Sequence, residues 1–138
     1  MSIVQLSLPG ARVLDLFAGS GALGMEALSR GALSAEFVDS DPRSLSVLRT
    51  NLATLGAESR ATVTRADAMT FVESLVDDSY DVVFADPPYA TDAAVRLADR
   101  WLRSPFSTLI GIEHARSVNM PAGGETRRYG DSRVTFYR

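Results

Sequence analysis

The sequence predicts an α/β fold in which a doubly wound, mostly parallel sheet ends in an antiparallel β-hairpin. Short apolar runs of strand length alternate with segments of helical period, and this alternation is typical of right-handed β-α-β units. The last two runs instead flank a Gly-Asp turn with no helix between them, which indicates a hairpin. At 138 residues, the chain is expected to form one domain spanning residues 1–138.

The first half of the chain reads as two strand-to-helix units. We expect strands at residues 12–17 and 35–38 and helices at residues 22–30 and 42–55. Gly31 and Gly56 end the two helices, and Asp41 with Pro42 supplies the cap and first residue of the second. Its apolar residues recur with helical period, at Leu45, Leu48, Leu52 and Leu55.

In the second half of the chain, strands and helices continue to alternate until the last two strands, which are predicted to form a hairpin. We expect strands at residues 61–64, 80–85 and 108–113, helices at residues 68–76 and 90–103, and hairpin strands at residues 125–129 and 133–137. The inner face of the last helix is predicted to carry Ala94, Leu97, Ala98, Trp101 and Leu102, which makes Trp101 a core residue.

Composition excludes several classes of protein. The chain is 46% apolar, carries a net charge of −3 and has a pI near 5.1, so it is not a general binder of polyanions. It has no cysteine and one histidine, so disulfides and thiolate metal sites are excluded, no metal is expected, and a reducing cytoplasm fits. No apolar run reaches the ~18 residues that a membrane-spanning helix needs. All the basic residues are arginines, and five lie in residues 116–138, where they suit phosphates or a solvated face.

The stretch that is most indicative of function is the tetrapeptide at residues 86–89. Asp86-Pro87-Pro88-Tyr89 directly follows the predicted strand at residues 80–85, and open α/β sheets bind ligands where their strands end. The two prolines make the turn stiff, so a carboxylate and an aromatic ring are held as a clamp for a flat hydrogen-bond donor. The alternative is a plain strand-to-helix turn in which Asp86 caps the helix and Tyr89 is half-buried.

The glycine turn at residues 19–24 resembles a dinucleotide fingerprint, with Asp39 about twenty residues on for ribose hydroxyls. Asp15 argues against a dinucleotide, because its charge would repel a pyrophosphate, whereas the cationic S-adenosylmethionine would be attracted. Asp15 would alternatively cap a helix or bond the glycine turn. Asp67 has two interpretations as well, adenine recognition and a helix cap. His114 is more often structural than catalytic at such a position.

The chain resembles the RsmD-type 16S ribosomal RNA guanine-N2 methyltransferases from about residue 12 to residue 137. The similarity rests on the segments at residues 15–24, 26–32, 86–89 and 129–131. It implies a Rossmann-like class I methyltransferase, S-adenosylmethionine as cofactor, 16S ribosomal RNA in the small subunit or its assembly intermediate as partner, and a monomer. Family members usually begin with a further basic segment, which we expect this chain to lack, together with RNA contacts.

Two sets of site residues follow. The catalytic residues are expected to be Asp86, Pro87, Pro88 and Tyr89. The cofactor-binding residues are expected to be Asp15, Phe17, Ala18, Gly19, Gly21, Asp39, Ser40, Asp67, Ala68 and Asp86. The alternatives are a DNA adenine-N6 or cytosine-N4 methyltransferase, and a cofactor-binding module that is inactive without its missing segment or a partner.

Overall fold

The computed structural model describes residues 8–138, which are built around one seven-stranded sheet. The strands are β1 (Arg12–Leu16), β2 (Ser34–Asp39), β3 (Ala61–Arg65), β4 (Tyr80–Ala85), β5 (Ser107–Ala115), β6 (Glu125–Tyr129) and β7 (Ser132–Tyr137). The helices are α1 (Ala22–Ser29), α2 (Pro42–Leu55), α3 (Ala68–Glu73) and α4 (Ala93–Arg103). A short 3-10 helix at Glu58–Arg60, which the sequence did not predict, precedes β3.

The strand order is β3-β2-β1-β4-β5-β7-β6. The first five strands in the sequence pair in parallel, whereas β7 runs antiparallel to both β5 and β6. This arrangement confirms the predicted doubly wound sheet with an antiparallel hairpin at one edge. Crossover helices connect the parallel strands, as the geometry of such pairs requires.

Each face of the sheet has its own apolar core. On the face that carries α1 and α2, Phe37 and Phe84 pack with Met25 and Leu48. The opposite face packs against α3 and α4 through Leu14, Val83, Leu97, Ile110 and Tyr137, and it includes Trp101 as predicted. Residues on successive strand positions alternate between the two cores, because side chains in a strand point to opposite faces in turn.

Two helices are three residues shorter than predicted, and α1 ends one residue early, at Ser29. The last helix begins at Ala93 rather than at residue 90, because Thr91 forms a separate turn with the carbonyl of Pro88. The helix after Asp67 ends at Glu73 rather than at residue 76. Beyond it the Leu75 carbonyl accepts a hydrogen bond from Arg100, and Asp78 takes a positive φ of 57° as the chain turns back towards β4.

Two leucines predicted to face the core are exposed. Leu55 is 62% exposed because it is the last residue of α2, and Leu102 is 40% exposed at the edge of the apolar stripe of α4. Arg100 is buried instead, since its guanidinium donates to the carbonyls of Ser104 and Leu75 and lies over the ring of Phe106. The two hydrogen bonds and the ring contact offset part of the cost of burying the charge.

Candidate functional site

The predicted site residues lie at one edge of the sheet, where the parallel strands end. Asp15 is in β1, Asp39 ends β2, Asp67 follows β3 by two residues, and Asp86 directly follows β4. β1 lies between β2 and β4, so the chain crosses over in opposite directions on its two sides. Open α/β sheets bind ligands at the carboxyl edge of such a switch point.

The glycine turn leaves open space at this edge. Gly19 and Gly21 have φ angles of 58° and 84°, which favour glycine. A Cβ on Gly19 would meet no atom within 4 Å, whereas a Cβ on Gly24 would lie 2.3 Å from the ring of Phe37. Gly24 therefore lets α1 pack on β2, and Gly19 leaves bare backbone where a ligand can approach.

Asp15 is 2% exposed, and its Oδ2 accepts a hydrogen bond of 3.1 Å from the backbone N–H of Gly24. That N–H lies in the first turn of α1, whose cap residue Gly21 has no side chain to bond it. The predicted bond to the glycine turn is therefore confirmed. Burial raises the pKa of Asp15 to about 8, and the negative charges of Asp86 and Asp39 add to the effect.

Asp39 holds the glycine turn in place. Its Oδ2 accepts a hydrogen bond of 2.9 Å from the N–H of Gly19, and its Oδ1 accepts one of 2.8 Å from the N–H of Asp41. The carboxylate thereby connects the turn after β1 to the start of α2. This role was not predicted, and it leaves each oxygen a second lone pair for a ribose hydroxyl.

Asp67 caps the N-terminus of α3, which is one of the two roles that the sequence indicated for it. Its Oδ2 accepts from the N–H and the hydroxyl of Thr70, at 2.9 and 3.0 Å. Ala68 follows as the buried first residue of the helix. The Oδ1 of Asp67 is left for a ligand at the end of β3.

The remaining predicted cofactor residues lie in the loops after β1 and β2. Phe17 ends the first strand one residue earlier than predicted, because its φ of 56° is incompatible with a strand. The N–H of Ala18 donates to the Val38 carbonyl at 3.0 Å, and Ser40 is exposed beside Asp39. The two loops are therefore joined at the edge of the sheet.

Asp86 directly follows β4 and lies next to the end of β1. Its N–H donates to the Leu16 carbonyl at 3.4 Å. Partial desolvation, together with the hydrogen bond and the negative charge of Glu113 in β5, raises the pKa of the Asp86 carboxyl to about 7. A carboxyl group with this pKa can hold or release a proton near neutral pH. The neighbouring acid was missed in the sequence, although its position at the end of the predicted fifth strand would have indicated it.

The carbonyls of the two prolines differ in their hydrogen bonds. The carbonyl of Pro88 accepts from the hydroxyl and N–H of Thr91, at 2.8 and 3.4 Å. Among residues 8–138, no donor bonds the carbonyl of Pro87. Thr91 thus stabilises the turn through the Pro88 carbonyl, whereas the Pro87 carbonyl, directly after Asp86, has no donor within residues 8–138.

Tyr89 is 48% exposed, and its hydroxyl shares a short hydrogen bond with the hydroxyl of Ser132 at the start of β7. The bond ties the tetrapeptide to the C-terminal hairpin, so the ring is held at one end while part of its surface faces solvent. Ser132 was missed in the sequence, because an isolated serine in a hairpin carries no signal.

His114 is structural, in agreement with the more common interpretation. It lies within β5 and is 3% exposed. Its Nδ1 bonds the Ala115 carbonyl at 2.9 Å, and its Nε2 bonds the Thr135 hydroxyl at 2.7 Å. Because a carbonyl oxygen only accepts, the Nδ1–H of His114 is the donor to Ala115.

Other features of the described chain lie away from this edge. A cavity of about 630 Å³ between α3 and α4 has none of the predicted site residues in its lining. Within residues 8–138, no three acidic or histidine side chains are grouped to hold a metal ion. No helix in that range combines the length and the apolar character needed to cross a bilayer.

This sheet order, with a glycine turn after β1 and Asp-Pro-Pro-Tyr after β4, defines the chain as a class I methyltransferase fold. A solved structure of the putative methyltransferase yhhF from Escherichia coli superposes with a TM-score of 0.81 at 31% sequence identity. The match covers 98% of this chain and 78% of the other.

The chain belongs to the family described as Conserved hypothetical protein 95, whose family model matches residues 1–138. Ribosomal RNA small subunit methyltransferase D of Haemophilus influenzae is 42% identical over 132 residues, 91% of this chain and 68% of that protein. The putative rRNA methyltransferase YlbH of Bacillus subtilis is 38% identical over 117 residues, 81% of this chain. The match covers 64% of YlbH, so the chain spans less than two thirds of that relative. The resemblance to the RsmD-type family is confirmed.

Proposed function

We propose that the chain is the catalytic part of an S-adenosylmethionine-dependent RNA methyltransferase that acts on the N2 amino group of a guanine in 16S ribosomal RNA. One observation carries the proposal: Asp86 and the carbonyl of Pro87, which no donor within residues 8–138 bonds, follow β4 beside the open glycine turn of β1. The names of the relatives support RNA as the substrate.

The residues of the edge suit S-adenosylmethionine, which has no phosphate and carries positive charge. Bound there, it would supply an electrophilic methyl group on a sulfonium. The backbone around Gly19 would accommodate its amino-acid part, and Asp39 would bind the ribose hydroxyls. Asp67 would bind the adenine amino group, and the raised pKa of Asp15 indicates a carboxyl that a nearby cation would stabilise in its ionised form.

The tetrapeptide would prepare the acceptor nitrogen. An exocyclic amino group is a weak nucleophile because its lone pair is delocalised into the ring. Asp86 and the Pro87 carbonyl would each accept one of its N–H bonds, which favours the tetrahedral nitrogen of the transition state. Stacking on Tyr89 would contribute roughly 1–3 kcal/mol and set the plane of the base. As the methyl transfers, the amino nitrogen loses one proton, and Asp86 is placed to receive it.

The first test separates an enzyme from a binding module. S-adenosylmethionine affinity is measured by calorimetry, and methyl transfer is measured on small ribosomal subunits that lack the modification. Binding with transfer to guanine N2 supports the proposal. Binding without transfer by this chain would indicate a cofactor-binding module that is inactive alone. Absence of cofactor binding would refute the proposal.

The second test concerns the carboxylate. We expect Asp86→Ala to abolish methylation in a chain that is active, because the amino group loses its main hydrogen-bond acceptor, while cofactor affinity changes little. Asp99→Ala, which removes an exposed carboxylate on α4, is the matched control and should leave both properties unchanged. Normal turnover by Asp86→Ala would contradict the mechanism.

A further inference from the structure

We propose that a groove beside the C-terminal hairpin binds a backbone phosphate of the RNA strand next to the target nucleotide. The groove has a volume of about 350 Å³, and the polar residues that line it are His114, Arg116, Asn119, Thr126, Arg133 and Thr135. We call it the arginine groove. This inference rests on the proposed RNA methylation and assigns part of the substrate contact to residues of this chain.

The charge of the arginine groove is uncompensated. No acidic residue lines it, although the whole chain carries a net charge of −3. Arg133 in β7 lies directly opposite Arg128 in β6, and like charges at such cross-strand positions are destabilising. Among residues 8–138, neither these two arginines nor Arg116 pairs with a carboxylate. Arg128 does not line the groove, whose positive charge comes from Arg116 and Arg133, and an anion held there would be attracted to both.

The walls of the arginine groove are held by hydrogen bonds. His114 bonds the Thr135 hydroxyl, which bonds the Thr126 hydroxyl at 2.7 Å, so three neighbouring strands are connected across the floor. The hydroxyl of Tyr137 donates to the Pro121 carbonyl at 2.8 Å and anchors the segment between β5 and β6. The cationic side chains therefore extend from a fixed surface, which lowers the entropy cost of binding.

The arginine groove opens at the edge of the sheet that carries the tetrapeptide. Arg133 follows Ser132, whose hydroxyl holds Tyr89, and Ser132 pairs in register with Ala115 at the end of β5. β5 in turn lies beside β4, which delivers Asp86. Because neighbouring residues of a strand point to opposite faces, Arg133 lies on the other side of β7 from Ser132, and the backbone flanking a nucleotide stacked on Tyr89 would reach Arg133 by passing over the end of β7. Guanidinium groups bind phosphate oxygens with two parallel hydrogen bonds, and such contacts position a nucleic acid without reading its sequence.

The test measures RNA binding by fluorescence anisotropy, with a short fluorescein-labelled single-stranded RNA that contains guanine. We expect Arg116→Ala and Arg133→Ala each to weaken binding about tenfold, the usual effect of losing a charged hydrogen bond. The double variant should flatten the dependence of log K on log salt by about 0.7, since the groove would hold one phosphate and each single-strand phosphate contact contributes about 0.7. The matched control is Arg43→Ala with Arg49→Ala, two exposed arginines of α2, which should change neither quantity.

Two further measurements separate this proposal from the proposed function. Calorimetry should give the same S-adenosylmethionine affinity for the groove variants as for the unaltered chain, and Arg116→Lys with Arg133→Lys should retain the salt dependence. If the groove and control variants bind RNA equally, or if the unaltered chain binds no RNA, the arginine groove is not the phosphate site. Failure of cofactor binding would instead refute the methyltransferase assignment and would leave the RNA result to be judged separately.

Discussion

Burial favours the neutral form of the Asp15 carboxyl. Its hydrogen bond from Gly24 favours the ionised form, but burial outweighs this bond and raises the pKa to about 8. The free protein therefore carries a protonated Asp15 at neutral pH. A bound cation would reverse this preference, so cofactor binding and proton release are coupled at this residue.

Asp15→Asn tests this coupling through stability. Because the folded pKa lies above the unfolded value of 3.8, the native state holds an extra proton between pH 4 and 8, and stability falls as pH rises through that window. Asparagine keeps an oxygen for Gly24 but does not titrate. The stability of Asp15→Asn relative to the unaltered chain should thus increase from pH 5 to pH 8 in urea unfolding. A difference that does not depend on pH would show that the carboxyl ionises normally.

Asp86 predicts a pH dependence of catalysis. The carboxylate form must accept the amino hydrogens, and the pKa of this group is raised to about 7 by desolvation and by Glu113. With both substrates well below saturation, the rate of methyl transfer should rise with pH and reach half its maximum near pH 7. Glu113→Gln removes the neighbouring negative charge and should move the midpoint to lower pH. An unchanged midpoint would remove Glu113 from this role.

At the scale of elements, the placement of α1 depends on the absence of one side chain. Gly24 lies in the first turn of the helix, and the ring of Phe37 occupies the space that a Cβ would need. The same turn carries the N–H that Asp15 binds. The packing of α1 against β2 and the conformation of the glycine turn are therefore one structural unit.

Gly24→Ala should separate α1 from the sheet. The added Cβ would lie 2.3 Å from Phe37, so we expect a loss of about 1–3 kcal/mol in the free energy of unfolding, the usual result of overpacking. Cofactor affinity should fall as well, because the turn moves with the helix. Ser46→Ala on the exposed face of α2 is the control and should change stability by less than about 0.5 kcal/mol. Denaturant unfolding and calorimetry measure the two effects, and unaltered affinity would contradict the link.

The hairpin of β6 and β7 has a function beyond closing the edge of the sheet. β7 pairs with β5 along six residues and supplies Ser132 to Tyr89 and Arg133 to the arginine groove. The segment that ends the fold thus also supports the proposed substrate side of the site. Antiparallel pairing permits this, because it returns the chain to the carboxyl edge, where β7 begins.

At the scale of the molecule, cofactor binding should stabilise the whole fold. The proposed cofactor residues come from four loops that exist together only in the native state. A cofactor concentration 100 times the Kd should therefore add about 2.7 kcal/mol to the free energy of unfolding. A thermal-shift series with S-adenosylmethionine should show a rising Tm, whereas NAD at the same concentrations should leave Tm unchanged. A shift with NAD alone would restore the dinucleotide interpretation of the glycine turn.

Much of the fold could be predicted from local signals. The periodicity of the apolar residues, the glycines that end helices and the Asp41-Pro42 helix start are short-range features of the sequence. They located every strand and all four α-helices of residues 8–138. The errors concern residues whose exposure depends on packing in the folded chain. Leu102 was misplaced because it lies at the edge of the apolar stripe of α4, and the burial of Arg100 depends on carbonyls at Leu75 and Ser104.

The sequence by itself determined the class of fold, the family and the edge at which the site lies, because strand order and motif position follow from patterns along the chain. Only the tertiary structure decided the partners of each site residue. The bond from Gly24 to Asp15, the pairing of Asp86 with Glu113 and the tie between Tyr89 and Ser132 join residues from separate elements. Such contacts set pKa values and side-chain positions through distance and burial, and neither quantity exists before the chain has folded.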